Sequence, residues 1–212
     1  FHVFVGAVVE GKLLATPVLP ERESAIYRYY YSSFDHELSP AWAPDGQSLF
    51  FINNREVPYG SGNIVQLALE EGAEPRLIRR EETSWSASPD IAPDGRRIVY
   101  ASYLGRQWHQ LWVTHVDGVA EPFPLTYGEF DVSAPRWSPD GSRIAYITNE
   151  NGDTAIRVQE FVGGKNTLLS VAEKKFRTRM FDFELNVVDI YGKPVSARVS
   201  IVGGDGRSYA PD

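Results

Sequence analysis

Residues that could do chemistry fall between the apolar runs of this 212-residue chain, and in small groups. Asp35-His36-Glu37 sets two carboxylates around an imidazole, a donor set able to hold a divalent cation or to move a proton. Consecutive residues on an extended chain alternate sides, so only Asp35 and Glu37 would converge. His36 would then need a partner from another element, with Asp131 the nearest analogue. Glu81, Glu82 and Trp85 form a second group, and Arg106, Trp108 and His109 a third. The other histidines are His2 and His115, too scattered for the three convergent ligands of a catalytic zinc. A histidine opening a strand, as His109 does, more often holds a backbone group than a metal. No cysteine is present, which excludes disulfides, thiolate catalysis and cysteine-ligated zinc. Ser48, Ser88 and Ser138 lack the G-x-S-x-G elbow of a serine hydrolase.

The elements that position these groups come from a phrase written three times: SPAWAPDGQSLFFI from Ser39, SPDIAPDGRRIVYA from Ser88 and APRWSPDGSRIAYI from Ala134. A strand-rich repeat of roughly 40–50 residues marks a β-propeller blade. In each P-D-G turn the proline pre-sets its backbone angle, the aspartate bonds the local backbone, and the glycine takes a left-handed conformation. Asp45, Asp94 and Asp140 therefore have a complete job in their turns and do not form a carboxylate cluster.

Each repeat reads as four strands. The second is apolar on both sides, over 49–52, 98–101 and 144–147, as a strand covered on both faces must be. The third spans 63–69, 110–116 and 154–162, and the fourth 76–79, 122–126 and 167–171. Trp42, Ile91 and Trp137 share one repeat position and are expected to be equivalently buried. Helix is expected to be near absent. Tyr29, Tyr30 and Tyr31 read as core or seam residues. Three blades are fewer than the about four to eight that close a ring.

A propeller opens the loops leading into each first strand on the same face as the loops between second and third strands. That face would gather Asp35, His36, Glu37, Glu82, Trp85, Arg106, Trp108, His109 and Asp131. Two readings stand: a solvated acidic rim with aromatics filling blade seams, or a surface that binds a ligand or a partner domain. No residue is assigned a catalytic or metal-binding role.

Residues 1–33 read as a connector or partial blade, 34–176 as three blades, and 177–212 as the start of a second β domain. There Phe181–Asp189 alternates, a Tyr191-Gly192-Lys193-Pro194 turn follows, and VSARVSIVG alternates again. The net charge of −7 with scattered arginines disfavours nucleic acid and anionic membrane surfaces. No apolar run reaches the roughly 18 residues of a membrane span. A chain that starts at Phe1, with Met180 its only methionine, reads as an internal piece of a longer protein.

The triple phrase resembles the TolB-type propeller repeat across 34–175, with Ile91 replacing tryptophan in the middle copy. Val187–Val199 resembles the start of a carboxypeptidase-regulatory-like (transthyretin-like) sandwich. Their order is similar to bacterial extracytoplasmic metallohydrolases of the CehA/McbA, PHP/amidohydrolase-like type. That resemblance implies a non-catalytic propeller region within a larger metal-dependent hydrolase, periplasmic or secreted. Its divalent metal would be bound in the parent, with no cofactor in these residues, and its partners would be other domains of the same chain or an envelope protein. The alternatives are a TolB-type protein-interaction module of the bacterial envelope and the propeller gate of a prolyl-oligopeptidase-like peptidase.

Overall fold

The computed structural model describes residues 2–26, 33–57, 62–81, 87–162, 164–170, 172–173, 184–197, 199–204, 206 and 208–209. All regular structure among them is β. The chain divides into two compact units, Phe1–Ser170 and Val171–Asp212. The boundary expected near Phe176 and the strand of Tyr29–Tyr31 lie outside the described residues.

A two-stranded hairpin comes first, β1 (Phe4–Val9) with β2 (Lys12–Pro17). Three four-stranded antiparallel meanders follow, each in chain order across its sheet. Blade 1 is β3 (Glu37–Trp42), β4 (Ser48–Asn53), β5 (Asn63–Ala68) and β6 (Arg76–Arg79). Blade 2 is β7 (Asp90–Ile91), β8 (Arg97–Ser102), β9 (Gln110–His115) and β10 (Phe123–Pro124). Blade 3 is β11 (Val132–Trp137), β12 (Arg143–Thr148), β13 (Ala155–Glu160) and β14 (Asn166–Leu169).

The P-D-G turns close the first two strands of every blade as their sequence requires. In blade 1 the Gly46 N–H donates to the Ala43 carbonyl at 2.9 Å, and Asp45 Oδ1 accepts the Gln47 N–H at 2.9 Å. Gly46, Gly95 and Gly141 hold φ of +69°, +68° and +69°, which a side chain would oppose. A second shared device lies in the first strand or on its approach. Ser39, Ser88 and Ala134, each followed by proline, take φ of +53°, +39° and +48°. In β3 and β11 the ladder register slips at this point, between Leu38 and Ala41 and between Ser133 and Arg136.

The second strands carry the seams because their alternate residues face opposite blades. Phe50 and Ile52 meet Ile98 and Tyr100 between blades 1 and 2. Val99 and Ala101 meet Ile144 and Tyr146 between blades 2 and 3. On the other side of blade 1, Leu49 and Phe51 are covered by Val3 and Leu19, which flank the β1–β2 hairpin. Each fully buried aliphatic or aromatic side chain contributes about 1.5–3 kcal/mol of transfer free energy, so the seams supply most of the cohesion.

One expectation fails here. Ile91 and Trp137 are buried, at 7% and 9% exposure, whereas Trp42 is 54% exposed. Trp137 lies under the Arg97 guanidinium of blade 2, 5.0 Å from its ring centre, and against Phe161 at 4.8 Å. No described residue caps Trp42 in that way. Burial at this position is conferred by the preceding blade and not by the residue's own repeat.

In the second unit an isolated bridge joins Val188 to Pro194, and Asp189 Oδ1 accepts the N–H groups of Tyr191 and Lys193 at 2.9 Å. Further on, β15 (Ile201–Val202) pairs with β16 (Ser208–Tyr209).

Candidate functional site

The loops leading into the first strands and the loops following the second strands do meet on one face, and an asparagine joins them. The His36 N–H donates to Asn54 Oδ1 at 2.8 Å, and Asn54 Nδ2 lies 2.9 Å from His36 Nδ1. With the amide as donor, the imidazole proton sits on Nε2. Blade 3 repeats the clasp: the Asp131 N–H donates to Asn149 Oδ1 at 2.8 Å. Both asparagines return their own N–H to the same residue, Asn54 to the His36 carbonyl and Asn149 to the Asp131 carbonyl, at 3.4 and 3.3 Å. Tyr103 holds the corresponding position in blade 2.

Asp35, His36 and Glu37 are all buried, and the two carboxylates are matched to different partners. Asp35 Oδ2 lies 3.7 Å from Arg55 Nε and 3.9 Å from Arg22 Nε. Glu37 bonds His2 Nδ1 at 2.9 Å and accepts from Asn53 Nδ2 at 3.4 Å. Burial pushes the Glu37 carboxyl above its usual range, and the His2 contact works against that rise. Among the described residues no three His, Asp or Glu side chains come close enough to hold a metal ion.

The third group spans the seam between blades 2 and 3. Asp131 Oδ1 accepts the His109 N–H at 2.9 Å and lies 3.4 Å from His109 Nδ1. The imidazole stacks on Tyr103 with ring centres 3.6 Å apart. Its Nε2 is buried and, among the described residues, meets no hydroxyl, carboxylate or other hydrogen-bonding group. Burial lowers the His109 pKa, with Asp131 opposing, so the ring is held as a neutral imidazole.

Sequence reasoning passed over Asn54 and Tyr103, and grouped Glu81 with Glu82 and Trp85 on the loop face. Glu81 is buried. Its Oε2 accepts the Ser102 hydroxyl, and its N–H donates to Asn63 Oδ1 at 2.9 Å. Burial raises the Glu81 carboxyl above its usual range and pushes the Tyr100 phenol upward as well. The signal for Asn54 was available, since it and Asn149 occupy one repeat position. Glu82 and Trp85 lie outside the described residues.

What remains open on this face belongs to Arg106 and its surroundings. Its guanidinium lies over Trp112 at 5.3 Å and Tyr127 at 5.0 Å, and Trp108 nearby is half-buried. An open groove of about 720 Å³ runs beside it, lined by Arg80, Glu81, Tyr103, Leu104, Arg106 and Gln107. Arg80 is exposed with its guanidinium 3.9 Å from the Glu56 carboxylate, and the groove wall holds the buried Glu81 beside the two arginines.

Known proteins resemble the chain in its blades. An uncharacterised protein of Agrobacterium fabrum is 25% identical over 173 residues, which cover 81% of this chain and 49% of that protein. An uncharacterised peptidase of Bacillus subtilis, YuxL, is 37% identical over 76 residues, 32% of this chain and 11% of the peptidase. The Tol-Pal system protein TolB of Coxiella burnetii is 38% identical over 64 residues, 30% of this chain and 14% of TolB. Among solved structures, TolB from Acinetobacter baumannii matches with a TM-score of 0.58 at 20% identity, over 75% of this chain and 35% of that one. No protein-family profile matches the chain. It spans about half the length of the Agrobacterium relative and smaller parts of the other relatives. The fold is a TolB-like β-propeller built from consecutive four-stranded blades. Among the described residues no helix is long and apolar enough to cross a membrane.

Proposed function

We propose that this chain is a non-catalytic, protein-binding propeller region of a larger extracytoplasmic protein. The observation that carries the reading is the division of labour on the loop face. Acids and imidazoles there are spent on clasping the loops and seams, while the exposed cations Arg80 and Arg106 flank an open groove. A surface so arranged binds a partner, and among the described residues its acids and imidazoles are engaged with loops and seams and not with a nucleophile. Likeness to TolB supports the extracytoplasmic location and the interaction role. The partner segment is acidic, and in the larger protein it belongs to another domain of the same chain or to an envelope protein.

The resemblance of Val187–Val199 to a carboxypeptidase-regulatory-like strand pair supports a metal-dependent hydrolase as that larger protein. The bound divalent metal then lies outside these 212 residues. A TolB-type envelope module without hydrolase activity is the rival parent. Metal analysis and an amidase and esterase screen of the full-length protein separate the two.

The groove is tested with a fluorescein-labelled peptide of alternating Glu and Tyr added to the 212-residue chain. Binding weakened at least tenfold by Arg80→Glu with Arg106→Glu, and weakened by salt, supports the reading. Binding that ignores both arginines, or substrate turnover by the chain itself, overturns it.

A further inference from the structure

The seams between neighbouring sheets are closed at one repeated place, and one seam lacks the closure. Between blades 1 and 2, Arg76 reaches across and donates to the Val116 and Asp117 carbonyls at 3.0 and 3.1 Å. Between blades 2 and 3, Phe123 meets Phe161 with ring centres 6.4 Å apart. The ladders make these places equivalent. Arg76 pairs with Gln66 opposite Phe50, as Phe123 pairs with Val113 opposite Val99. Leu69, Val116 and Phe161 each donate their N–H to the residue that follows the P-D-G glycine of their own blade, Gln47, Arg96 and Ser142.

In the seam between the β1–β2 hairpin and blade 1 the same two places hold Thr16 and Leu69. The Val18 N–H donates to the Val3 carbonyl as the Leu125 N–H donates to the Leu111 carbonyl, which puts Thr16 where Phe123 stands. A threonine and a leucine leave open the space that two phenylalanines fill. The result is a groove of about 430 Å³, within the range of about 300–1,000 Å³ common to small-molecule sites. Its walls are Val5, Val18, Leu19, Leu67, Leu69 and Ala73.

The rim carries Arg55, Glu70 and Glu74. Arg55 is already matched, with Nη1 3.0 Å from Glu74 Oε2 and Nε 3.7 Å from Asp35 Oδ2. Glu70 is exposed and has no cationic partner among the described residues. Two carboxylates against one guanidinium leave the mouth of an apolar groove negative.

We infer that this groove is a binding site for a ligand that joins an aliphatic chain to a cationic head, the chemistry of a long-chain primary amine. The chain lies along Val5, Val18 and Leu67, and the ammonium group sits between the carboxylates of Glu70 and Glu74. The site shares no residue with the groove beside Arg106 and does not depend on what that groove binds.

The test is calorimetric titration of hexylamine, heptylamine and octylamine into the complete 212-residue chain at pH 7. One-to-one binding is expected, tightening about fourfold with each added methylene. Octanoate, with the same chain and the opposite charge, is expected to bind at least tenfold more weakly than octylamine. Thr16→Phe with Leu69→Phe supplies the phenylalanine pair of the blade 2–3 seam and should weaken octylamine at least tenfold. Glu70→Gln with Glu74→Gln changes only exposed side chains and should weaken it roughly three- to tenfold, the size of two exposed charge contacts. Octanoate binding as tightly as octylamine overturns the inference, because it would mark partition of the alkyl chain alone. So does octylamine binding that both double variants leave unchanged, or no saturable binding of any of the three amines.

Discussion

Two glycines with nearly the same backbone conformation should respond very differently to one added methyl group. Gly95 holds φ +68° in the P-D-G turn of blade 2, and a Cβ built there meets nothing within 4 Å. Gly118 holds φ +75° in the turn after β9, and a Cβ there would stand 2.5 Å from the Ile78 carbonyl oxygen of blade 1. Gly95→Ala therefore carries the left-handed penalty alone, about 1 kcal/mol. Gly118→Ala carries that penalty and a collision with backbone. The oxygen would have to withdraw by about 0.5 Å or more, and the Ile78 side chain behind it is locked among Ile64 and Ile98. Arg76 ties the same turn to blade 1 by donating to the Val116 and Asp117 carbonyls at 3.0 and 3.1 Å, so the turn itself cannot retreat freely. Overpacking of this kind costs about 1–3 kcal/mol, which brings the total for Gly118→Ala to about 2–4 kcal/mol. Urea unfolding of both variants at 25 °C gives the comparison directly. Equal losses, within about 0.5 kcal/mol, would refute the claim that the turn is wedged against blade 1.

Trp137→Ala should cost about 3 kcal/mol or more by urea unfolding, and Trp42→Ala less than about 1 kcal/mol, because only the first is buried in a seam. Glu81 has a raised folded pKa, so its contribution is full below the unfolded carboxyl pKa and is lost as pH rises through the folded value. Relative to the parent chain, Glu81→Gln should thus gain stability between pH 4 and pH 7, read as a growing difference in Tm. His109 has a lowered folded pKa, so its contribution is present above the unfolded value near 6.5 and is lost as pH falls through the folded one. His109→Phe should flatten the loss of Tm between pH 7.5 and pH 5, and an unchanged slope would remove His109 from that titration.

How much of this was legible in the sequence follows from the range over which each cause acts. The P-D-G turns were readable because their physics is local: a fixed proline angle, an aspartate bonding two residues on, and a glycine beyond reach of side-chain strain. The second strands were readable because burial on both faces leaves an unbroken apolar run, as at Leu49–Ile52. Trp42 was misread because its burial depends on an arginine delivered by another blade, and a repeat alignment treats the two tryptophans as alike. The site was harder still. Asp35, Glu37, His109 and Asp131 stood out by residue type, yet their partners come from distant positions: His2 for Glu37 and Asn149 for Asp131.

That partnering changes which residues the face offers to another molecule. Desolvation makes an unmatched buried carboxylate costly, so the acids nearest the seams are drawn to hydroxyls, amides and arginines of the next element. Glu81 turns to Ser102, and Asp35 to Arg22 and Arg55. A composition of −7 thus hides a loop face whose open groove carries the exposed guanidinium groups of Arg80 and Arg106 beside the buried Glu81. Arg106 is free to serve there because the Trp112 and Tyr127 rings support its guanidinium without neutralising it. Charge on the page of the sequence and charge available at the surface are different quantities, and the seams of this propeller are what separate them.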